Sequence, residues 1–154
     1  GIEVPEIYGD PALLVPYLFP EFVKQSQPTY DYIVVVHYRD RHLVPRAADG
    51  HVVYATDPWD EIIRKILDSR FVIASSMHAV IVAEAYGIPA HWLELSDRVL
   101  GGGHKFADYY EGTGRARPEP LTLATMTAEP AWTAPAAGGA DRLAAAFPFP
   151  RVPA

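Results

Sequence analysis

The sequence predicts an α/β fold, doubly wound around a mostly parallel sheet. Three observations carry this. Short, mainly apolar runs recur at 33–36, Val52–Tyr54, 72–74 and 92–95, the first three rich in β-branched residues. Runs of that length suit strands buried on both faces. Between them lie stretches with helical periodicity, around 59–68 and 76–86. Strands alternating with helices at this interval imply parallel strands with helices on both faces.

The elements follow in order. Residues 6–8 read as a short strand, ended by Gly9, Asp10 and Pro11. Residues 12–18 read as an apolar turn or short helix, broken by Pro16 and Pro20, and 21–29 as a polar loop. The run 32–37 is a buried strand, and 39–50, charged and carrying Pro45 and Gly50, is an exposed loop. After the strand at 52–55, Asp57 and Pro58 open a helix, Asp as N-cap and Pro in the first turn, where its missing N–H costs nothing. Ile62, Ile63, Ile66 and Leu67 give that helix one apolar face. Residues 71–74 form another buried strand. Ser75 and Ser76 cap a second helix reaching Tyr86, which Gly87 and Pro89 end. A strand at 90–95, a flexible glycine hinge at 101–103 and an aromatic-rich helix at 105–112 complete a domain spanning 1–117. Residues 118–154 hold seven prolines and much alanine, and read as an irregular tail whose one helix, at 141–147, packs back.

Composition narrows the function. One core suffices for 154 residues. A net charge of −6 argues against nucleic acid, which is held largely through Lys and Arg. With no cysteine, disulfides, iron–sulfur clusters and a thiol nucleophile are excluded. No apolar run approaches the roughly 20 residues of a membrane span, and with no basic stretch ahead of an apolar one no signal peptide is expected in these residues. The chain opens on Gly1 rather than Met, which suggests a piece of a longer protein.

The strongest local feature is the passage from the 71–74 strand into the helix through Ser75, Ser76, Met77 and His78. Ligands of open α/β sheets sit outside the carboxyl ends of strands. Free N–H groups and the helix dipole favour an anion there. The two hydroxyls and the His78 imidazole add donors and a titratable group. The plain alternative is a cap with a packed histidine. His37 ends the preceding strand at the same edge, and Arg39 and Arg41 follow it as anion binders or idle surface cations. Glu84, taken alone, reads as a solvated mid-helix acid. Its one-turn neighbours Val80, Ile81 and Ile88 are apolar, however, so a buried Glu84 requires a partner. Lys105 to Arg115 joins cations and tyrosines in a stretch suited to phosphate or sugar, or simply to covering the sheet. Dinucleotide, P-loop and nucleophile-elbow fingerprints are absent, and the six histidines lack metal-ligand spacing.

Several of these stretches together resemble a family. Tyr8-Gly9-Asp10-Pro11-Ala12-Leu13-Leu14, then Ser75-Ser76-Met77-His78 running into Ala83-Glu84-Ala85-Tyr86-Gly87-Ile88-Pro89, then Asp108-Tyr109-Tyr110 with Gly114-Arg115, resemble the polysaccharide pyruvyltransferases in the same order. The likeness is nearest to the xanthan ketal pyruvate transferases. It implies a Rossmann-like domain, the C-terminal half of a fold arranged like a B-type glycosyltransferase. It implies transfer of pyruvate from phosphoenolpyruvate to two hydroxyls of an exopolysaccharide sugar as a ketal. No cofactor is implied; phosphoenolpyruvate is the donor substrate. The implied partners are a lipid-linked oligosaccharide and an N-terminal domain of the same protein, and the implied place is the cytoplasm, at the inner face of the membrane. His78 falls on the catalytic histidine, with Ser75, Ser76, His37, Arg39, Glu84, Lys105 and Arg115 as substrate-binding candidates. Two departures stand out: Ala79 replaces the family glycine and is expected to put a methyl beside the anion site, and Val36 replaces a proline. A chain supplying one wall of a two-domain cleft is expected to be inactive in transfer alone. Two other classes stay open. Glu84-Ala85 with Gly87 and Pro89 resembles the ribose-binding stretch of nucleotide-sugar glycosyltransferases, with a shorter spacing. A non-catalytic binding or assembly module would reflect lost activity.

Overall fold

The computed structural model describes residues 9–99, 101–126, 131–136 and 138–146. The strand expected at 6–8 and Phe147 lie outside them. Four strands, β1 (Tyr30–Val36), β2 (Val52–Tyr54), β3 (Ser69–Ala74) and β4 (Ala90–Trp92), form one sheet in the order β2-β1-β3-β4. Every pairing is parallel, with Val34 opposite Val52, Ile33 opposite Val72, and Val72 opposite Ala90. The helices are α1 (Val15–Leu18), α2 (Trp59–Leu67), α3 (Met77–Ala85), α4 (Gly102–Gly112) and α5 (Gly139–Ala146); a 3-10 turn, Pro11–Leu14, leads into α1. This is the Rossmann-like α/β arrangement that the apolar runs predict.

The two sheet faces are covered differently. One carries Ile33, Val35, Val53, Val72 and Ala74 against Ile63, Ile66 and Leu67 of α2, Val80 and Ile81 of α3, and Phe106, Tyr109 and Tyr110 of α4. The other carries Val34, Val36, Val52, Phe71, Ile73 and Leu93 against Val44, Ala47, Leu121 and Met126. Those four come from loops, which corrects the expectation of helices on both faces. Right-handed crossovers supply the reason. β2 and β3 lie on opposite sides of β1, so the β1–β2 connection must cross the face opposite to α2. That connection, 37–51, carries Pro45 and Gly50 and forms no helix. It is also less exposed than expected, since Asp40 and Val44 are buried.

Local signals explain the helix ends. Gly87 adopts φ +66, Ile88 N–H donates to the Ala83 carbonyl at 2.9 Å, and Gly87 N–H donates to the Glu84 carbonyl at 3.0 Å. These two bonds form the left-handed stop that glycine and the following proline predict. Asp57 does not cap α2. Its carboxylate accepts from Tyr54 N–H at 2.9 Å and from Arg46 at 2.5 Å, and Pro58 takes the cap position without a side-chain bond. The glycines at 101–103 begin α4, which starts at Gly102. Gly101 holds φ +86 at the entry to α4, and a Cβ on Gly103 would stand 3.1 Å from the Trp92 ring. β4 stops sooner than expected. Beyond Trp92, Leu93 bridges to Leu121, whose N–H donates to the Trp92 carbonyl at 2.8 Å. On α5, Leu143 lies against Gly9, and Asp141 accepts from the Tyr17 hydroxyl. Among the described residues no helix is long and apolar enough to cross a membrane.

Ile73 sits in the middle of the sheet with no exposed surface. Ile73→Ala is expected to destabilise the fold by about 2–5 kcal/mol through lost burial and the cavity left behind. Urea denaturation should show a lower midpoint with unchanged slope.

Candidate functional site

The site is assembled where β1 and β3 end. Ser75 leaves β3 and is buried, its N–H donating to the Val35 carbonyl at 3.1 Å. Its hydroxyl oxygen accepts from the His37 backbone N–H at 2.9 Å. The oxygen expected to cap α3 therefore ties the ends of the two strands together. Ser76 occupies the cap position, and its side chain makes no capping bond. Ala79 N–H already donates to the Ser76 carbonyl at 3.1 Å, but among the described residues the Met77 and His78 N–H groups are left open at the carboxyl edge of the sheet, where anions are favoured.

His78 stands in that first turn with its ring largely in solvent. Its Nε2 lies 3.6 Å from Asp10 Oδ2. Asp10 is itself fixed, because its Oδ1 accepts from Ala12 N–H at 2.8 Å as cap of the Pro11–Leu14 turn. Sequence reasoning missed this carboxylate. The Asp10-Pro11 cap signature was readable, but its approach to His78 needs the Pro11–Leu14 turn to pack on α3, which it does. The Ala79 methyl, expected beside the anion, packs into the core instead.

His37 is partly buried, its ring 4.4 Å from that of Tyr38. Its pKa is lowered, chiefly by burial; Asp40 opposes this, and the charges of Arg39 and Lys105 reinforce it. Arg39 donates to the Tyr38 hydroxyl at 3.1 Å and to the Arg98 carbonyl at 3.0 Å. Arg41 is exposed on the same loop. Lys105, exposed on the first turn of α4, lines an open cavity of about 900 Å³ with Asp10, Met77 and Asp108.

Glu84 and Arg115 are engaged with each other. Glu84 is buried, which removes the solvated reading. Arg115 Nη1 and Nη2 each donate to one of its oxygens at 2.7 Å. The Tyr109 hydroxyl donates to Oε2 at 2.6 Å and the Trp132 indole N–H to Oε1 at 2.9 Å. Arg115 also donates to the Thr133 carbonyl and the Thr113 hydroxyl. Burial works against the Arg115 charge, yet the hydrogen bonds and charge of Glu84 outweigh it and its pKa is raised. Burial, with Glu84 beside them, pushes the Tyr109 and Tyr110 hydroxyls up, so both stay protonated. The structure thus gathers His37, Ser75, Ser76 and His78 at one edge, with Arg39 and Lys105 on its flanks. Glu84 lies roughly 9 Å further along α3, at ~1.5 Å per residue.

Residues 1–97 match the family model described as polysaccharide pyruvyl transferase. The uncharacterized protein L143 of Acanthamoeba polyphaga mimivirus is 28% identical over 126 residues, covering 77% of this chain and 44% of the viral protein. The matched region thus spans less than half of that relative. No solved structure matches the chain.

Two outcomes follow from these geometries. Arg115→Ala leaves a buried carboxylate without its cation, and a loss of about 3–5 kcal/mol is expected in denaturant unfolding. Glu84→Gln, which keeps an acceptor and the volume, should lose less. The second concerns His37. An NMR titration should give it a midpoint below the ordinary histidine value, moving up in Lys105→Met and further down in Asp40→Asn. Because the folded value is the lower one, the unfolded chain binds more protons between the two. His37 therefore stabilises the fold above the unfolded value, and that contribution fades as pH falls toward the folded one.

Proposed function

The chain belongs to the polysaccharide pyruvyl transferase family, and from that premise we propose that it takes part in forming a pyruvate ketal on a sugar from phosphoenolpyruvate. The single observation that carries this is an exposed imidazole, backed by the Asp10 carboxylate at 3.6 Å, beside an uncapped helix N-terminus at the carboxyl edge of a parallel sheet. Such an edge offers an anion site and a proton donor within one helical turn.

The chemistry asks for both. Protonation of the terminal carbon of phosphoenolpyruvate makes C2 an oxocarbenium centre, and one sugar hydroxyl adds there, giving up its proton. The C2–O bond to phosphate then breaks, phosphate departs, and the second hydroxyl closes the ketal with loss of its proton. One proton is consumed at carbon and two are released from the hydroxyls, one restoring the acid and one leaving with phosphate. His78 supplies and recovers the proton, a role suited to imidazole near neutral pH. Asp10 orients the ring. The N–H groups of α3, Ser75, Ser76 and Lys105 bind phosphate and carboxylate, and Arg39 adds charge from the β1 side. We place the acceptor among exopolysaccharide oligosaccharides carried on lipid at the inner membrane face, as in the xanthan ketal transferases. In this reading a second domain supplies the opposite wall of the cleft.

Glu84 and Arg115 act here by support. With each Glu84 oxygen already holding donors from Arg115, Tyr109 or Trp132, neither is offered to a ribose. That weighs against the nucleotide-sugar reading.

In the protein at its native length, His78→Ala should abolish pyruvyl transfer while its circular dichroism and unfolding midpoint stay unchanged, because an exposed first-turn side chain packs little. His78→Gln should bind phosphoenolpyruvate by calorimetry without transferring it. Asp10→Asn is expected to lower turnover by less than the roughly 10²–10⁴-fold that general acid–base catalysis itself contributes, because it acts only through His78. Near-normal single-turnover transfer by His78→Ala would remove this histidine from the reaction.

A further inference from the structure

On the flank of the same edge, the loops that leave β1 and β4 meet over a buried carboxylate. Asp40 has no exposed surface, and its Oδ1 accepts from the Ser96 hydroxyl at 2.5 Å. That length is typical of a hydroxyl donating to an ionised carboxylate. Asp40 Oδ2 has no hydrogen-bond partner among the described residues, so it is unsatisfied either as an acceptor or as a protonated donor. The neighbouring cations are engaged elsewhere. Arg39 donates to the Tyr38 hydroxyl and the Arg98 carbonyl, and Arg98 Nη1 lies 3.4 Å from His42 Nε2. No ion pair reaches Asp40 among the described residues. Glu84, the other buried acid among them, holds Arg115. A buried charge is tolerated when it is paired or coordinates a metal ion, and Asp40 lacks the pair.

Space for an ion lies beside it. Asp40 lines a small cavity of about 20 Å³ with Ser75, Glu94, Leu95 and Ser96, room for one water-sized occupant. These neighbours carry neutral oxygens. The Ser75 oxygen accepts one hydrogen bond, from His37 N–H, and the Glu94 and Leu95 carbonyls accept none among the described residues. We propose that this cavity is a site for a monovalent alkali cation, sodium or potassium, held by Asp40 Oδ2 with the hydroxyl and carbonyl oxygens around it. One carboxylate balances one positive charge. Calcium takes about six to eight oxygens, and magnesium keeps several waters. The cavity has no room for a hydrated ion, and no cluster of three or more acidic or histidine side chains suited to a metal stands among the described residues. The ion ties the β1–β2 connection to the end of β3 and to the loop after β4, three pieces far apart in sequence. The site goes beyond the transfer reading, because it uses neither His78 nor phosphoenolpyruvate.

The test is thermal unfolding of the native-length protein in sodium, potassium and tetramethylammonium chloride at one ionic strength. Tetramethylammonium is too large for the cavity and serves as the blank. The midpoint should be higher in sodium or potassium chloride, and should climb as that ion replaces tetramethylammonium, as for any ligand that binds the folded state. Asp40→Asn, which keeps the volume and removes the charge, should unfold at the same midpoint in all three salts. Crystals of the unaltered protein soaked in thallium(I) acetate should show an anomalous peak beside Asp40 Oδ2, a readout that stands even where the variant fails to fold. Equal midpoints of the unaltered protein in the three salts, an ion dependence that survives in Asp40→Asn, or a water without anomalous signal at Asp40 would each overturn the site. Phosphoenolpyruvate enters none of these measurements, so failure of the transfer reading leaves them standing.

Discussion

The buried Glu84–Arg115 pair is the constraint on which the far side of the domain depends. Glu84 sits inside α3, among apolar neighbours, where a lone carboxylate would be costly. Its donors come from three separate places: Tyr109 on α4, Arg115 just beyond that helix, and Trp132 on the segment that follows. Arg115 in turn holds the Thr133 carbonyl. One acid therefore fixes α4 and residues 131–136 against α3. A buried pair of this kind contributes little net stability compared with a well-packed apolar core, but it admits few alternative arrangements. The Tyr109 and Tyr110 rings, with the Arg115 guanidinium 5.5 and 4.7 Å from their centroids, close the group.

That anchoring matters at the opposite end of α3. With the helix held by Glu84 and stopped at Gly87, its first turn is presented without a side-chain cap. The Ser75 oxygen is spent on His37 N–H, so the β1 and β3 ends move as one. Asp10 reaches His78 from a turn pinned on α3. Each of these contacts joins residues far apart in sequence, and together they place an imidazole, a carboxylate and free N–H groups around one point.

The uneven covering of the sheet has a related origin. Right-handed crossovers send α2 and α3 to one face, while the β1–β2 connection must take the other. With Pro45 and Gly50 in it, that connection forms a loop and not a helix. It covers its face with Val44 and Ala47, and its first residues turn back over the strand ends. Arg39, Asp40 and His42 therefore meet the loop after β4, a meeting that a helical crossover would have prevented.

Much of this was legible along the chain. The β-branched runs located β1, β2 and β3, because a strand buried on both faces is apolar almost throughout; β4, Ala90–Trp92, was placed by the apolar stretch after Pro89. The Ile62, Ile63, Ile66 and Leu67 spacing located α2, and Gly87 with Pro89 located the end of α3, because left-handed backbone and ring closure are local properties. The Ser75–His78 junction was found for the same reason, as a strand running straight into a helix. What the sequence could not supply was pairing. Asp57 and Ser75 carry the residue types of caps, yet their oxygens serve Tyr54 and His37. Glu84 looked solvated until Arg115, Tyr109 and Trp132 converged on it, and Asp40 looked exposed until Ser96 covered it. By itself the sequence determined which backbone each segment adopts, since that depends on neighbours a few residues away. Only the tertiary structure decided which polar group each side chain satisfies, because a buried donor or acceptor takes whichever partner the packed elements bring within about 3 Å.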